Sequence, residues 1–171
     1  MHIVIDGYNF IHRSRHLNQM TPLDLQSGRD ALVDALAAYK KIKPYKITVV
    51  FDGTAAPAGL PRRDKHKGIH LRYSRPGELA DTVIKRMADR ERETLLVVSS
   101  DREVTDYAQA RGAAVIATEA FEEKLLLARM GVQDQDESDE AGGWQPTTRK
   151  KGPARRLPKR RRKLARKLSK F

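Results

Sequence analysis

Four aspartates in this chain stand where an apolar segment gives way to a loop or a helix start. Asp6 follows the run at 2–5, Asp52 follows 46–51, and Asp101 follows 95–99 across Ser100. Asp81 lies three residues beyond Glu78, behind a Pro76-Gly77 break. Short, β-branched apolar runs read as buried strands. In an open parallel sheet, chemistry collects outside the carboxyl ends of such strands. If the first strand is central, Asp6, Asp52, Asp81 and Asp101 share one rim. Carboxylates crowded together raise one another's pKa unless a cation compensates. The natural compensator is Mg²⁺ or Mn²⁺, a hard ion that prefers oxygen donors and keeps several waters. A site of this kind suits phosphodiester hydrolysis, with one metal or two. The chain has no cysteine and its five histidines are scattered, which argues against zinc.

Each acid also has a structural reading. Asp6-Gly7 and Asp52-Gly53 are turn pairs. Ser100-Asp101-Arg102-Glu103 matches the S-x-x-E capping box at a helix start. Asp81 is placed to favour a helix N-terminus and to pair with Lys85 at i+4. The coincidence of all four on one edge favours a site.

The elements that must hold these groups follow from periodicity. Strands are expected over 2–5, 46–51, 68–74, 95–99 and 113–117. Residues 11–22 and 54–67 read as loops. Helices are expected over 23–41, on a stripe of Leu25, Leu32, Leu36 and Tyr39, and over 78–91, burying Leu79, Ala80, Val83, Ile84 and Met87. Shorter ones follow, one from 101 to 111 and one over 118–130 carrying Phe121, Leu125, Leu126 and Met130. The β-α alternation predicts a three-layer α/β/α sandwich around a mainly parallel five-stranded sheet.

The formal net charge of +12 is not spread evenly. Residues 145–171 hold 13 Lys and Arg and no acid, while residues 1–144 hold 21 basic and 22 acidic side chains. The pI near 10.1 therefore belongs to the end of the chain. This divides the sequence into a folded body at 1–130, an acidic linker at 131–144 and a basic tail at 145–171, the last two expected to be disordered alone. Such asymmetry points to a polyanion, RNA first. The tail contributes Arg160, Arg161, Arg162 and Lys163; loops of the body contribute Arg13, Arg15, Arg62, Arg63, Lys65 and Lys67. Tyr8, beside the first acid, has the chemistry to stack on an unpaired base, or simply to pack. With no basic n-region and no apolar run beyond strand length, a soluble cytoplasmic protein without a membrane span is expected.

In order, Asp6-Gly-Tyr-Asn9, Phe-Asp52-Gly, Pro-Gly-Glu78-Leu-Ala-Asp81-Thr-Val-Ile and Ser-Ser-Asp101 resemble a PIN-like nuclease domain of the NYN group, in the bacterial YacP-like branch of predicted endoribonucleases. The resemblance covers residues 1–130. It implies a metal-dependent ribonuclease with Asp6, Asp81 and Asp101 as the acidic core and Asn9 positioning Asp6 or a water. Asp52 matches the branch but not every member of the wider group. A further acid after the last motif is expected, with Glu103 and Asp106 as candidates. Its clients would be single-stranded RNA, either mRNA or RNA of the ribosome.

Other classes fit less well. A phosphatase with an aspartyl nucleophile wants a second acid at position 8, which is Tyr. A dinucleotide-binding domain wants a Gly-rich turn after the first strand. The alternative that remains is an inactive scaffold that binds RNA or the ribosome.

Overall fold

His2–Asp6 forms the central strand, β1, and every residue in it is buried. The computed structural model describes residues 1–18, 25–55 and 61–130. The other strands are β2 (Lys46–Phe51), β3 (Arg63–His66), β4 (Ile69–Tyr73), β5 (Leu95–Val98) and β6 (Ala114–Ile116). The helices are α1 (Gly7–Arg13), α2 (Leu25–Ile42), α3 (Ala80–Glu91), α4 (Arg102–Ala110) and α5 (Thr118–Arg129). The sheet order is β3-β4-β2-β1-β5-β6. All pairings are parallel except β3 against β4. Unbroken apolar strands such as Leu95–Val98 need cover on both faces. That cover comes from α1, α2 and α5, which pack together on one side, and from α3 with α4 on the other.

Among the described residues the sheet has six strands where periodicity gave five. The added one, β3, lies in the stretch read as a loop, and all four of its residues are exposed. Arg-Asp-Lys-His has no buried face and so leaves no apolar alternation to detect. Charges on an edge strand are also what discourages further strands from adding. Lys67 (φ 50°) and Gly68 (φ 83°) close the β3–β4 hairpin, the two positive φ values of a type I′ turn.

Helix α1 is the second difference. It starts directly after β1 and runs to Arg13, into the stretch at 11–22 read as a loop, with Asp6 as its N-cap accepting from the Asn9 backbone N–H at 3.2 Å. Helix α3 begins two residues later than periodicity suggested, with Leu79 as N-cap and 62% exposed. Leu25, at 37%, and Met130, at 75%, are likewise exposed at helix ends, beyond the reach of the core. The expectations for 131–144 and 145–171 fall outside the described residues. Among those described, no helix is long and apolar enough to cross a membrane.

Two glycines mark close approaches. A Cβ on Gly7 would lie 2.3 Å from the Phe51 ring and 2.9 Å from Val49, and one on Gly53 would lie 2.2 Å from the Ser74 carbonyl oxygen. Gly7 opens α1 against β2, so Gly7→Ala must push the α1 start away from the sheet. Overpacking of this kind costs about 1–3 kcal/mol. Urea unfolding of Gly7→Ala should show a lower midpoint by that amount. An unchanged midpoint would mean that the α1 junction yields freely.

Candidate active site at the β1–β5 crevice

From β1 the chain passes to the α1 side of the sheet, and from its neighbour β5 to the α4 side. Two adjacent parallel strands that send their chains to opposite faces leave a crevice at their carboxyl ends, where ligands bind in open α/β sheets. Asp6 and the Ser99-Ser100-Asp101 segment flank that crevice. Asp81 reaches it from the first turn of α3.

Asp6 is only 6% exposed. Its Oδ1 accepts from the Asn9 N–H, and its Oδ2 accepts from the Ser99 hydroxyl at 3.4 Å. Burial pushes its pKa up to about 6, and the charges of Asp81 and Asp101 add to the rise; the two hydrogen bonds oppose it. Asp81 is also raised, first by burial and then by Asp101 and Glu103, with Lys85 pulling the other way. The three acids are thus electrostatically coupled. Asp101 N-caps α4, its Oδ1 accepting from Glu103 N (2.7 Å) and Val104 N (3.2 Å). The capping reading of the sequence therefore holds in kind, shifted by one residue from Ser100 to Asp101. Glu103 does not reach back to the cap but pairs with Lys85.

Asn9 contacts Asp6, as expected, but through its backbone. Its side-chain Oδ1 accepts from Ser100 N (3.0 Å) and from the Thr118 hydroxyl (3.2 Å). It ties the start of α1 to the β5–α4 and β6–α5 loops. Ser99, which the pattern did not single out, is 1% exposed; it donates to Asp6 and accepts from Asp101 N at 3.1 Å. Ser100 donates to Glu119 at 2.8 Å and accepts from Thr118 N. The one signal for this pair was two serines between a buried strand and an acid.

Several expected residues stand apart from this group. Asp52 turns its Oδ1 to Thr54, accepting from the backbone N (2.9 Å) and the hydroxyl (2.7 Å). Tyr8 packs on Phe51 with ring centroids 5.1 Å apart, and its hydroxyl accepts from Arg29. Arg62 and Arg63 sit beside the carboxyl end of β4. Lys65 pairs with His70 further down, and Lys67 lies in the turn at the opposite end of β4, bound to Asp34. Arg13 and Arg15 are exposed at the end of α1, and Arg15 N donates to the buried Glu122. Arg160, Arg161, Arg162 and Lys163 are outside the described residues.

All the donors at the crevice are oxygens, and their mutual repulsion is what a hard cation relieves. Among the described residues no three acidic or His side chains are gathered closely enough to enclose a metal by themselves. Mg²⁺ does not require that, since it is commonly held by one or two carboxylates together with waters and substrate phosphates. The residues fit such an ion in kind.

The crowded carboxylates thus lie at the switch point of an open α/β sheet. The YacP-like NYN domain family matches residues 3–171, and the chain belongs to that family. The match extends past residue 130, where the resemblance read from motifs ended. The chain is 26% identical over 86 residues to the protein YacP of Bacillus subtilis (strain 168), and it spans about half the length of that relative, 50% of each chain. Its fold is similar to the crystal structure of Rae1 (YacP) from Bacillus subtilis, with a TM-score of 0.65 and 20% identity over 77% of each chain. The W164L mutant of that protein gives 0.60 and 22%, over 75% of this chain and 77% of the other.

The raised Asp6 pKa has a measurable consequence in metal-free buffer. The native state holds the Asp6 proton more tightly than the unfolded chain, so this group favours folding fully below pH 4. That contribution is lost as pH rises through about 6, and it amounts to something on the order of 3 kcal/mol. Asp6→Asn keeps an acceptor for the α1 cap and removes the charge. At pH 7.5 in EDTA it should unfold at higher urea than the wild-type protein, and at pH 4 the gap should close. Lower stability of Asp6→Asn at pH 7.5 would show that capping outweighs the repulsion.

Proposed function

We propose that this chain is a metal-dependent endoribonuclease that hydrolyses phosphodiester bonds of single-stranded RNA. The observation that carries the reading is a buried carboxyl at the switch point, Asp6, raised to about 6 by burial and by two further acids. Asp6, Asp81 and Asp101 would hold Mg²⁺ or Mn²⁺, with Glu103, close enough to raise Asp81, preferred over Asp106 as the additional acid. When bound, the ion lowers the pKa of water and neutralises charge developing on the phosphate.

The protein's own part is to present and hold the acids. Ser99 and the Asn9 N–H hold both oxygens of Asp6. The α4 cap holds Asp101 by Oδ1, and Oδ2 takes no part in that cap. Lys85, paired with Glu103 and close enough to lower Asp81, supplies a positive charge beside the acids. Membership of a nuclease-type family supports RNA as substrate, and the basic residues at 145–171 would tether the protein to RNA or to the ribosome.

Purified protein should cleave an unstructured oligoribonucleotide with Mn²⁺ or Mg²⁺ and lose that activity in EDTA. Asp81→Asn and Asp101→Asn should each slow cleavage at least about a hundredfold, the scale of losing one electrostatic group from a reacting centre. Full cleavage in EDTA would overturn the metal mechanism. Absence of both cleavage and Mn²⁺ binding by calorimetry would favour the inactive scaffold.

Truncation after Gly143 tests the tether separately. If about half of the 13 tail cations meet phosphates, log affinity should fall against log salt with a slope near −4 to −5, from roughly 0.7 per contact. The truncated chain should show a flatter slope and still cut a short oligonucleotide. Equal slopes and affinities would exclude the tail as the RNA-binding element.

A further inference from the structure

One row of the sheet connects the acidic crevice to a second feature. Asp6 on β1 pairs with Val50 on β2, Val50 with Arg72 on β4, and Arg72 with Arg63 on β3. Residues directly opposite one another across a sheet project from the same face. Here it is the face covered by α3, to whose core Val50 belongs. Adjacent strands lie about 4.8 Å apart, so the backbones of Asp6 and Arg72 are separated by roughly 10 Å.

Arg72 opens into a small cavity of about 150 Å³ whose charged lining is Arg62, Arg63, Arg72, Arg75, Arg86 and Glu78. Five arginines and a single glutamate make up that lining. Glu78 is already engaged, accepting from the Arg86 guanidinium and from the Arg75 backbone N–H at 3.1 Å. The side chains of Arg62, Arg63, Arg72 and Arg75 form no ion pair among the described residues. Arg72 is half-buried; burial, and then Arg63, Arg86 and Arg90, pull its guanidinium below its ordinary value, with Glu78 opposing. Four unpaired arginines from β3, β4 and the loops at their ends therefore converge without enough negative charge to balance them.

The geometry points to a phosphate-binding pocket in which Arg63, Arg72 and Arg75 hold one phosphate group of a nucleic-acid strand a few nucleotides from the bond at the acidic crevice. A planar guanidinium offers paired donors that match phosphate oxygens, and several around one cavity exceed what a solvated surface needs. The charge of the lining, rather than its size, is what suits the cavity to a phosphate. The inference rests on the nuclease reading for the direction of the strand, but not for the anion itself. Two sources share this chemistry, an internal phosphodiester and a 5′-terminal phosphate.

The test uses full-length protein and a 3′-labelled, unstructured oligoribonucleotide carrying either a 5′-hydroxyl or a 5′-phosphate. Binding is followed by fluorescence anisotropy in EDTA across a salt series, and cleavage of the same RNA is followed in Mn²⁺. The variants are Arg63→Gln/Arg75→Gln, two exposed side chains whose loss leaves the core intact, and Arg72→Gln alone. Lys41→Gln/Lys43→Gln removes the same charge at the far end of the sheet, near the start of β2, as a control. Both arginine variants should bind at least about tenfold more weakly, as expected for lost charge-assisted hydrogen bonds. The salt slope should flatten by about 0.7 per contact, and the control should match wild type. Equal weakening for both oligonucleotides assigns an internal phosphate; weakening confined to the 5′-phosphorylated one assigns a terminal phosphate. Unchanged affinity and slope in both arginine variants would overturn the pocket, as would an equal loss in the lysine control. Wild-type protein that binds through these arginines yet never cuts would instead count against the nuclease reading alone.

Discussion

The constraint on which this structure turns is a carboxyl group at the end of a fully buried strand. Removing an ionised carboxylate from water is costly unless it is hydrogen-bonded or neutralised. At Asp6 the fold supplies one backbone N–H and one buried hydroxyl, and it adds two further acids rather than a fixed cation. That arrangement is poor for stability. Charge crowding retained at such a cost is a common mark of a functional site. The centrality of β1 makes the crowding possible, because a strand with parallel neighbours on both sides brings its carboxyl end next to theirs.

The polar groups around Asp6 form a single scaffold of loops. Asn9 reaches from α1 to the loops that start α4 and α5, and Ser100 continues the chain of contacts to Glu119. On the outer side, buried Glu122 of α5 accepts from Ser14 and from the backbone of Arg15 and His16, which anchors the end of α1. Its many hydrogen bonds hold it charged against the opposing effect of burial. Both ends of α1 are thereby pinned to α5. A seven-residue helix would be marginal by itself, so these contacts explain why α1 keeps Asp6 capped.

This pinning also accounts for what the sequence made legible. Runs such as Leu95–Val98 declare their burial by composition, and the strand-then-acid rhythm announced Asp6 and Asp101 before any geometry was known. Helix α1 was hidden because His12, Arg13 and Ser14 look like loop chemistry; the apolar contribution is only Phe10 and Ile11. Strand β3 was hidden because an exposed edge strand needs no apolar face. The distinct duties of Asn9's backbone and side chain depend on loops 91 and 109 residues away. No local pattern encodes that. Asp52 and Lys67 show what residue type alone leaves open. Their types and neighbours fit a site, but register and turn geometry engage Asp52 with Thr54 and place Lys67 at the other end of β4.

Helix α3 separates two fields of opposite sign. Its first turn carries Asp81 toward the acidic crevice, while Arg86 on another face lines the arginine cavity. The positive end of the helix dipole lies at that first turn and moderates the repulsion Asp81 feels from Asp101. An acidic crevice by itself would repel a polyanion. On the reading proposed above, arginines about two strand spacings away would give the strand a place to dock, and among the described residues none of them forms an ion pair with the crevice carboxylates. Separation by β2, whose Val50 side chain is fully buried between the two rows, keeps the charges from collapsing into ion pairs. A direct Arg72–Asp6 bridge would cancel both fields. If the crevice is catalytic and the arginines bind phosphate, as proposed, the intervening strand is what would let attraction and chemistry coexist on one edge of the sheet.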